Sequence, residues 1–395
     1  MNQKPTGSRI KRELSRLMAS HRVTSSDSGH FVKVRPESYP EVASIVTYAQ
    51  ENGVMTFPVP EDQQFPSDVD WHIRLDLSGL NSVISHLKDS RVVGVQAGIQ
   101  LESLVDWVYD KHLELRVMPE FLSELELWEF LLSPQSGRYG PGMGDKWDQV
   151  MNIKAVLPNG RLFQTSLSPA RAAGPDFTSL ILTGRGRFGI PLETHLRLAP
   201  RPPKREYMAF SLKSLFDGLA PAAEIVGKVA PEFIEVGLNR NLENKGLPSH
   251  FLLVELWGEG AGLSLRKEAV RMALEGIGTP VSIPYEVLLG FDETYGFRSR
   301  ACHQMYLRQT DVRDVVSKML KGPKSMISKV RLLGFLDHYV CVTHDGEAGF
   351  PGGPCNGTGG HRTTESARPI WEAMANQLDP AGIFSHIPSL WEATS

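Results

Sequence analysis

The stretch at residues 183–200 constrains the fold of this chain more than any other. Gly184, Gly186 and Gly189 crowd into one turn, Leu192, Thr194, Leu196 and Leu198 then fall at every second position, and Pro200, Pro202 and Pro203 follow. Glycines at that density permit a positive φ and the close approach of another backbone or a ligand. Period-two alternation predicts a half-buried strand, and the prolines end it. A turn, a strand and a proline-rich exit at mid-chain mark the end of one domain and the entry to the next. The turn contains the bare string G-x-G-x-x-G, but a strand follows it and no helix, so it is not a Rossmann fingerprint.

A chain of 395 residues exceeds one ordinary core, so two domains are expected. With 41% hydrophobic and 22% charged residues the composition is that of a globular protein. A net charge of −3 gives no basic footprint for nucleic acid. No run of 18 apolar residues occurs, so no membrane span is expected. Residues 1–23 carry Arg and Lys but no apolar h-region, which is not a secretory signal. That basic, acid-poor character is shared with transit peptides, but a plain surface helix is the simpler expectation. Cys302, Cys341 and Cys355 lie far apart and form no CxxC pair, which argues against a disulfide framework and a zinc site. A reducing, cytoplasmic location follows, with Cys341 a small buried hydrophobe in the apolar run 338–342.

In chain order, Ile10, Leu14 and Leu17 share one face of a short helix over 10–20, and 30–34 is strand-like. Ser38 and Glu41 form a capping box with Pro40 in the first turn. Val42, Ile45, Val46 and Ala49 keep helical spacing to the Asn52-Gly53 stop. Strands are expected over 54–59, 73–77 and 92–97, then a helix carrying Leu101, Leu104, Val105 and Val108. Pro158-Asn159-Gly160 turns a hairpin between 153–157 and 161–164. Beyond Pro203 come strand 207–212, helix 215–229, strands 233–238 and 251–257, helix 265–274 and strand 280–283. That β-α-β-β-α-β order is the split ferredoxin-like pattern. A strand around 305–307, helix 312–320, strand 339–342 and helix 370–378 follow. Between the last two, loop 344–360 holds seven glycines and two prolines and is a candidate site loop.

The ordered series 30–53, 73–81, 92–108, 148–160 and 188–202 resembles the FAD-binding domain of the p-cresol methylhydroxylase type, the vanillyl-alcohol oxidase superfamily. The tail NQLDPAGIF at 376–384 is similar to its C-terminal LDP-x-G-x-(F/L)-NPG signature. Gly359-Gly360-His361 resembles a segment of the glycolate oxidase FAD-binding subunits. The resemblance implies an α+β fold: a two-subdomain FAD-binding domain over 1–204, a ferredoxin-like cap over 205–345 and a return to the FAD-binding domain over 346–395. FAD is then the expected cofactor. No histidine falls within 58–70, so it is expected to be noncovalent.

Flavin pyrophosphates need backbone N–H donors with no side chain or negative charge in the way. The first glycine loop of the family corresponds here to Val59-Pro60-Glu61-Asp62-Gln63-Gln64, which has no glycine, loses a donor at Pro60 and adds two carboxylates. Each carboxylate within about 5 Å of a pyrophosphate opposes binding by about 1 kcal/mol or more. The family's (T/S)-x-GG pair corresponds to Glu126-Leu127-Trp128-Glu129, with Trp128 and Glu129 in place of the glycines. The expected cofactor contacts are therefore Gly140, Gly142, Gly144 and Asp148, then Gly184, Gly186, Gly189 and Glu193. Arg185 and Arg187 are open to two readings, anion ligands or, more simply, solvated turn arginines.

For catalysis, His361 lies where the family brings residues near the flavin, as a base or substrate ligand; a loop histidine capping the following helix is the equal alternative. His303 and Arg308 flank the 305–307 strand, where an arginine suits a carboxylate substrate, against surface or salt-bridged roles. His344 and Asp345 lack a third ligand, so no metal is expected. Trp107, Trp128 and Trp147 are expected as core or interface aromatics and not as a stacking box. Two functions follow. One is an FAD-linked oxidoreductase, or one subunit of one, acting on a small hydroxy acid or alcohol. The other is a cofactor-free relative serving as a non-catalytic partner of another flavoprotein or electron-transfer subunit.

Overall fold

The computed structural model describes residues 5–26, 30–58, 70–116, 125–132, 146–168, 175–184, 186–239, 248–282, 303–308, 311–320, 329–334, 338–344 and 368–384. In the first lobe, helix α1 (Gly7–Leu17) buries Ile10 and Leu14. Strands β1 (Val23–Ser26), β2 (Phe31–Val34), β3 (Thr56–Pro58) and β4 (His72–Leu75) form a sheet in the order β1-β2-β4-β3. β2 and β3 both run parallel to β4, whereas β1 is antiparallel to β2. Helix α2 (Tyr39–Asn52) buries Val42, Ile45, Val46 and Ala49, the residues whose spacing predicts it. Ser38 Oγ accepts the Glu41 N–H at 3.4 Å, and Gly53 closes the helix at φ +61°. The Glu41 carboxylate accepts the Glu37 N–H at 2.8 Å and takes both arms of Arg22 at 2.8 Å, so the capping box is also an anchor to the end of β1.

The second lobe contains β5 (Val83–Leu87), β6 (Val92–Gln96), α3 (Leu101–Asp110), β7 (Leu113–Leu115), α4 (Leu127–Leu132), β8 (Val150–Val156), β9 (Leu162–Gln164), α5 (Phe177–Thr183) and β10 (Ile190–Pro200). Its sheet runs β5-β6-β10-β8-β9, with β7 pairing the far end of β10. The strand predicted from alternation is thus the central strand, and Leu192, Leu196 and Leu198 lie in one core with Val32, Ile73 and Val46 of the first lobe. The β8–β9 hairpin turns at Gly160 with φ +75°, and a Cβ there would lie 2.1 Å from Thr47 Oγ1 on α2. Glycine at this point is what lets the hairpin lie against the first lobe.

Past Pro203 a separate core forms. β11 (Arg205–Ser211), α6 (Leu219–Val229), β12 (Phe233–Asn239), β13 (His250–Trp257), α7 (Gly260–Ala273) and β14 (Thr279–Val281) give the order β14-β11-β13-β12. Numbered from the first of the four, that is 4-1-3-2, the ferredoxin-like arrangement. Three further strands, β15 (His303–Arg308), β16 (Lys329–Gly334) and β17 (His338–His344), extend it through β16 beside β12 to seven strands. Phe210, Val236, Leu252 and Val254 pack under Ile225 of α6, Val270 of α7 and Val316 of α8 (Val312–Leu320). The helix expected over 215–229 opens as a 3-10 turn, Leu215–Gly218, because Ser214 caps Phe216 rather than a full turn. That expected over 265–274 starts earlier, at Gly260.

The tail returns to the first core. After α9 (Arg368–Leu378), the Asp379 carboxylate accepts the N–H groups of Ile383 and Phe384 at 2.9 and 2.7 Å. Ile383 O accepts the Thr56 N–H of β3 at 3.1 Å, and Phe384 is fully buried. Among the described residues no helix is long and apolar enough to cross a membrane, and no His/Cys/Asp/Glu cluster suits a metal ion.

Candidate functional site

Ligands of open α/β sheets lie outside the carboxyl ends of the parallel strands. Here that edge holds Arg35 after β2 and Asp76 after β4, and β3 leads into 59–69. Asp76 caps the 3-10 turn Leu77–Gly79 by accepting the Ser78 N–H at 3.1 Å, and Lys33 Nζ lies 3.3 Å from its other oxygen. The turn from β6 to α3 lies directly against this one. Gly98 N–H donates to Leu80 O at 2.9 Å, and a Cβ at Gly98 would lie 1.8 Å from Leu77 O.

Helix α4 completes the edge. Its entry is fastened to the β6–α3 turn: Leu127 N–H donates to Ile99 O at 2.9 Å, and Trp128 N–H to Ala97 O at 2.8 Å. Leu101 N–H donates to Leu125 O at 2.9 Å. The Glu126 N–H faces Glu129 Oε1 at 3.3 Å. Trp128 is 1% exposed, which puts it in the core as expected, and its indole N–H donates to the Glu126 carboxylate. Burial pushes the Glu126 carboxyl up to about 7, with Asp76 adding to the rise; the indole bond, Lys33 and Arg35 pull it back. Trp107 and Trp147 pack partly buried against the same core.

The glycine turn before β10 has local reasons for its residues. A Cβ at Gly184 would lie 2.3 Å from Phe188 Cδ2, Gly186 has φ +85°, and a Cβ at Gly189 would lie 3.2 Å from Val156 O. Arg187 N–H donates to Gly184 O at 3.0 Å, so the turn folds onto itself and onto β8. Glu193 is buried: Lys154 Nζ of β8 donates to Oε2 at 2.7 Å and the Tyr39 hydroxyl of α2 donates to the same oxygen at 2.9 Å. Asp148 is exposed and acts electrostatically on Arg116. Gly140, Gly142, Gly144 and His361 lie outside the described residues. His303 and Arg308 stand at the two ends of β15, the outermost strand of the cap sheet.

Tyr39 and Lys154 are missed by motif matching. Lys154 interrupts an apolar strand, 153–157, and that interruption is the only signal of its buried partner. Trp128 is visible in sequence as a departure from a glycine pattern, but its bond to Glu126 is not.

Parallel strands opening onto a helix entry, a core shared by two lobes and a separate ferredoxin-like unit with its own core make up this fold. The FAD binding domain family matches residues 32–166. The chain is 22% identical to glycolate oxidase subunit GlcD of Bacillus subtilis (strain 168) over 51% of this chain and 44% of that one. It is 30% identical to the mitochondrial D-lactate dehydrogenase [cytochrome] of Arabidopsis thaliana over 43% of this chain and 30% of that one. The matches thus span less than half the length of these relatives. Crystalline p-cresol methylhydroxylase with substrate bound superposes with a TM-score of 0.74 at 12% identity, over 96% of this chain and 95% of that one. Residues 32–166 thus match a family of FAD-binding domains, and the fold is shared with p-cresol methylhydroxylase.

At α4 the residues do not fit a pyrophosphate. The Leu127 and Trp128 N–H groups are taken by Ile99 and Ala97 carbonyls, and the Glu126 carboxyl lies beside them, bonded to the Trp128 indole.

Proposed function

We propose that this chain is an FAD-linked oxidoreductase, or one subunit of a larger one, acting on a small hydroxy acid or alcohol. The observation that carries this is the pairing of an FAD-binding lobe pair with a ferredoxin-like lid in one chain, in relatives named for glycolate and D-lactate. The separate cores on either side of Pro203 support a division at 204/205, and the return of Phe384 supports a third segment that rejoins the first domain. His361 serves as base, and Arg308, with His303 on the same strand, addresses a substrate carboxylate. The remaining cofactor contacts are assigned to Gly140, Gly142, Gly144 and Asp148, with Gly184, Gly186, Gly189 and Glu193 shaping the wall behind them.

A second reading has one observation in its favour, the Trp128–Glu126 pair across the α4 entry. In it the chain is a cofactor-free partner of another flavoprotein or electron-transfer subunit. The test is FAD titration of the purified protein, followed by anaerobic glycolate and D-lactate. Visible flavin absorption that bleaches with either acid supports the first reading. A colourless protein that takes up no FAD, yet raises the activity of a flavoprotein subunit added to it, leaves the second.

A further inference from the structure

The outermost strand of the second-lobe sheet carries a serine bonded to a histidine two strands away. Ser85 Oγ lies 3.2 Å from His195 Nε2, and His195 Nδ1 lies 2.9 Å from Asn152 Oδ1. The three residues stand in one row, because Ser85 pairs with Gly94, Gly94 with His195, and His195 with Asn152. The row is open only because position 94 is glycine. A Cβ there would lie 2.3 Å from Ser85 Oγ and 2.7 Å from His195 Nε2. Register shifts between Val83 and Ser85 on β5 and between His195 and Leu196 on β10 flank the row. Such bulges re-aim side chains at sheet edges.

The hydrogen bonds also fix the proton positions. Asn152 Oδ1 accepts the His195 backbone N–H at 3.1 Å, and its Nδ2 donates to Thr165 O at 3.4 Å, so the amide orientation follows from its surroundings. An amide oxygen only accepts, so Nδ1 carries the ring proton and Nε2 takes the serine hydroxyl proton. Burial holds the His195 pKa below its ordinary value, with Lys154 of β8 lowering it further and Glu193 of β10 opposing, so the ring is a neutral base at pH 7. Asn152 is 1% exposed, whereas Ser85 and His195 are half-buried and reach solvent. Nucleophile, base and buried orienting group are the three parts an activated serine requires.

We propose that Ser85, His195 and Asn152 form a nucleophilic serine site that accepts acyl groups from small activated esters. Ser85 Oγ bonds to the acyl carbon while His195 takes its proton. The ester C–O bond breaks and the leaving alkoxide receives that proton. Water then attacks the acyl-serine by the same route, releasing the acid and restoring the hydroxyl. An outer strand presents backbone N–H groups with no ladder partner, the donor type that suits the transient oxyanion.

The test uses the full chain with a fluorophosphonate probe and with p-nitrophenyl acetate. The expected result is a probe adduct on the Ser85 peptide by mass spectrometry and slow ester hydrolysis, both absent in S85A. H195Q is expected to slow labelling on the order of a hundredfold. G94A is expected to do the same without altering either side chain, and N152D to retain labelling, since an aspartate can hold the same ring nitrogen. Melting curves identify any variant that fails to fold, and H195Q, at a half-buried position, carries the test if G94A does. No adduct on Ser85, or equal labelling rates in folded H195Q, overturns the proposal.

Discussion

The Tyr39 hydroxyl donates to Glu193 Oε2 at 2.9 Å, tying the first turn of α2 in one lobe to the central strand of the other. Lys154 Nζ shares that oxygen at 2.7 Å and lies 4.9 Å from the Tyr39 ring centroid. A buried carboxylate that loses its cation is left with an uncompensated charge. Lys154 keeps 23% of its side chain exposed, which lets water soften the loss. K154M should therefore cost about 2 kcal/mol, less than a fully buried pair, and Y39F about 1 kcal/mol. Urea denaturation of both variants checks the ranking; a K154M loss no larger than that of Y39F would refute it.

The same cluster makes a prediction at high pH. Burial, with Glu193 adding, pushes the Tyr39 phenol up to about 12, against a donor bond from Gln96. A pKa raised in the folded state contributes stability that is whole below the unfolded value of about 10 and is lost as pH rises through the folded one. Wild-type stability should fall between about pH 10 and 12 more steeply than that of Y39F. Phenolate absorbance recorded during alkaline titration assigns the group.

His72 governs the acid side. It is fully buried, stacked 10° from parallel on Phe57 at 5.6 Å, with Nε2 accepting from Arg74 Nε at 3.2 Å. Burial holds its pKa at about 4. A depressed histidine contributes stability present above its unfolded pKa and lost as pH falls toward the folded one. The loss should set in below about pH 6.5 and approach 3 kcal/mol near pH 4. Melting of wild type and H72Q across that window separates this term, because the glutamine cannot take up the proton.

Glu126 has the opposite sign. Its pKa of about 7 means that the folded state prefers the neutral acid. Stability from this group is whole below the unfolded carboxylate pKa of about 4.3 and is lost as pH rises through about 7. E126Q should be nearly neutral at pH 4 and stabilise by about 2 kcal/mol at pH 8. A stability difference that does not change with pH would show that Glu126 stays charged.

What the sequence showed of this fold follows from which interactions are local. The cap of α2 lies within four residues, and the alternation of β10 reports one buried face, so both were legible. Strands such as β1 and β5 were not, because Thr24-Ser25-Ser26 and Ser85-His86 lack an apolar alternation and are held by pairing to distant strands. The four-strand cap pattern could be read in order, but its extension depends on β16 choosing the free side of β12. At the site, the loss of glycines at 128 and 129 was visible. That Trp128 closes the gap with a bond to Glu126, and that Glu193 pairs with Lys154 across a bulged register, required the strands in place.

The last prediction concerns how the flavin is held. FAD differs from FMN by its second phosphate and adenosine, so any seat for the pyrophosphate appears as tighter binding of FAD. At α4 the Leu127 and Trp128 N–H groups are spent on backbone carbonyls, and Glu126 lies beside them. A second phosphate approaching that end gains no donor and meets an acid that must stay protonated. FAD should therefore bind within about threefold of FMN, where a working seat gives tenfold or more per 1.4 kcal/mol. Raising the pH from 6 to 8 should weaken FAD more than riboflavin, because the Glu126 carboxyl ionises across that range while riboflavin brings no phosphate to it. Fluorescence titration with riboflavin, FMN, FAD and ADP on the unaltered chain reads all of this without a variant. ADP that displaces FAD, together with an FAD preference above about tenfold, would mean that segments beyond α4 clasp the pyrophosphate on their own. The W128G/E129G double variant then asks the converse: if the indole is what closes the end, two glycines should raise the FAD preference over FMN and leave riboflavin where it was.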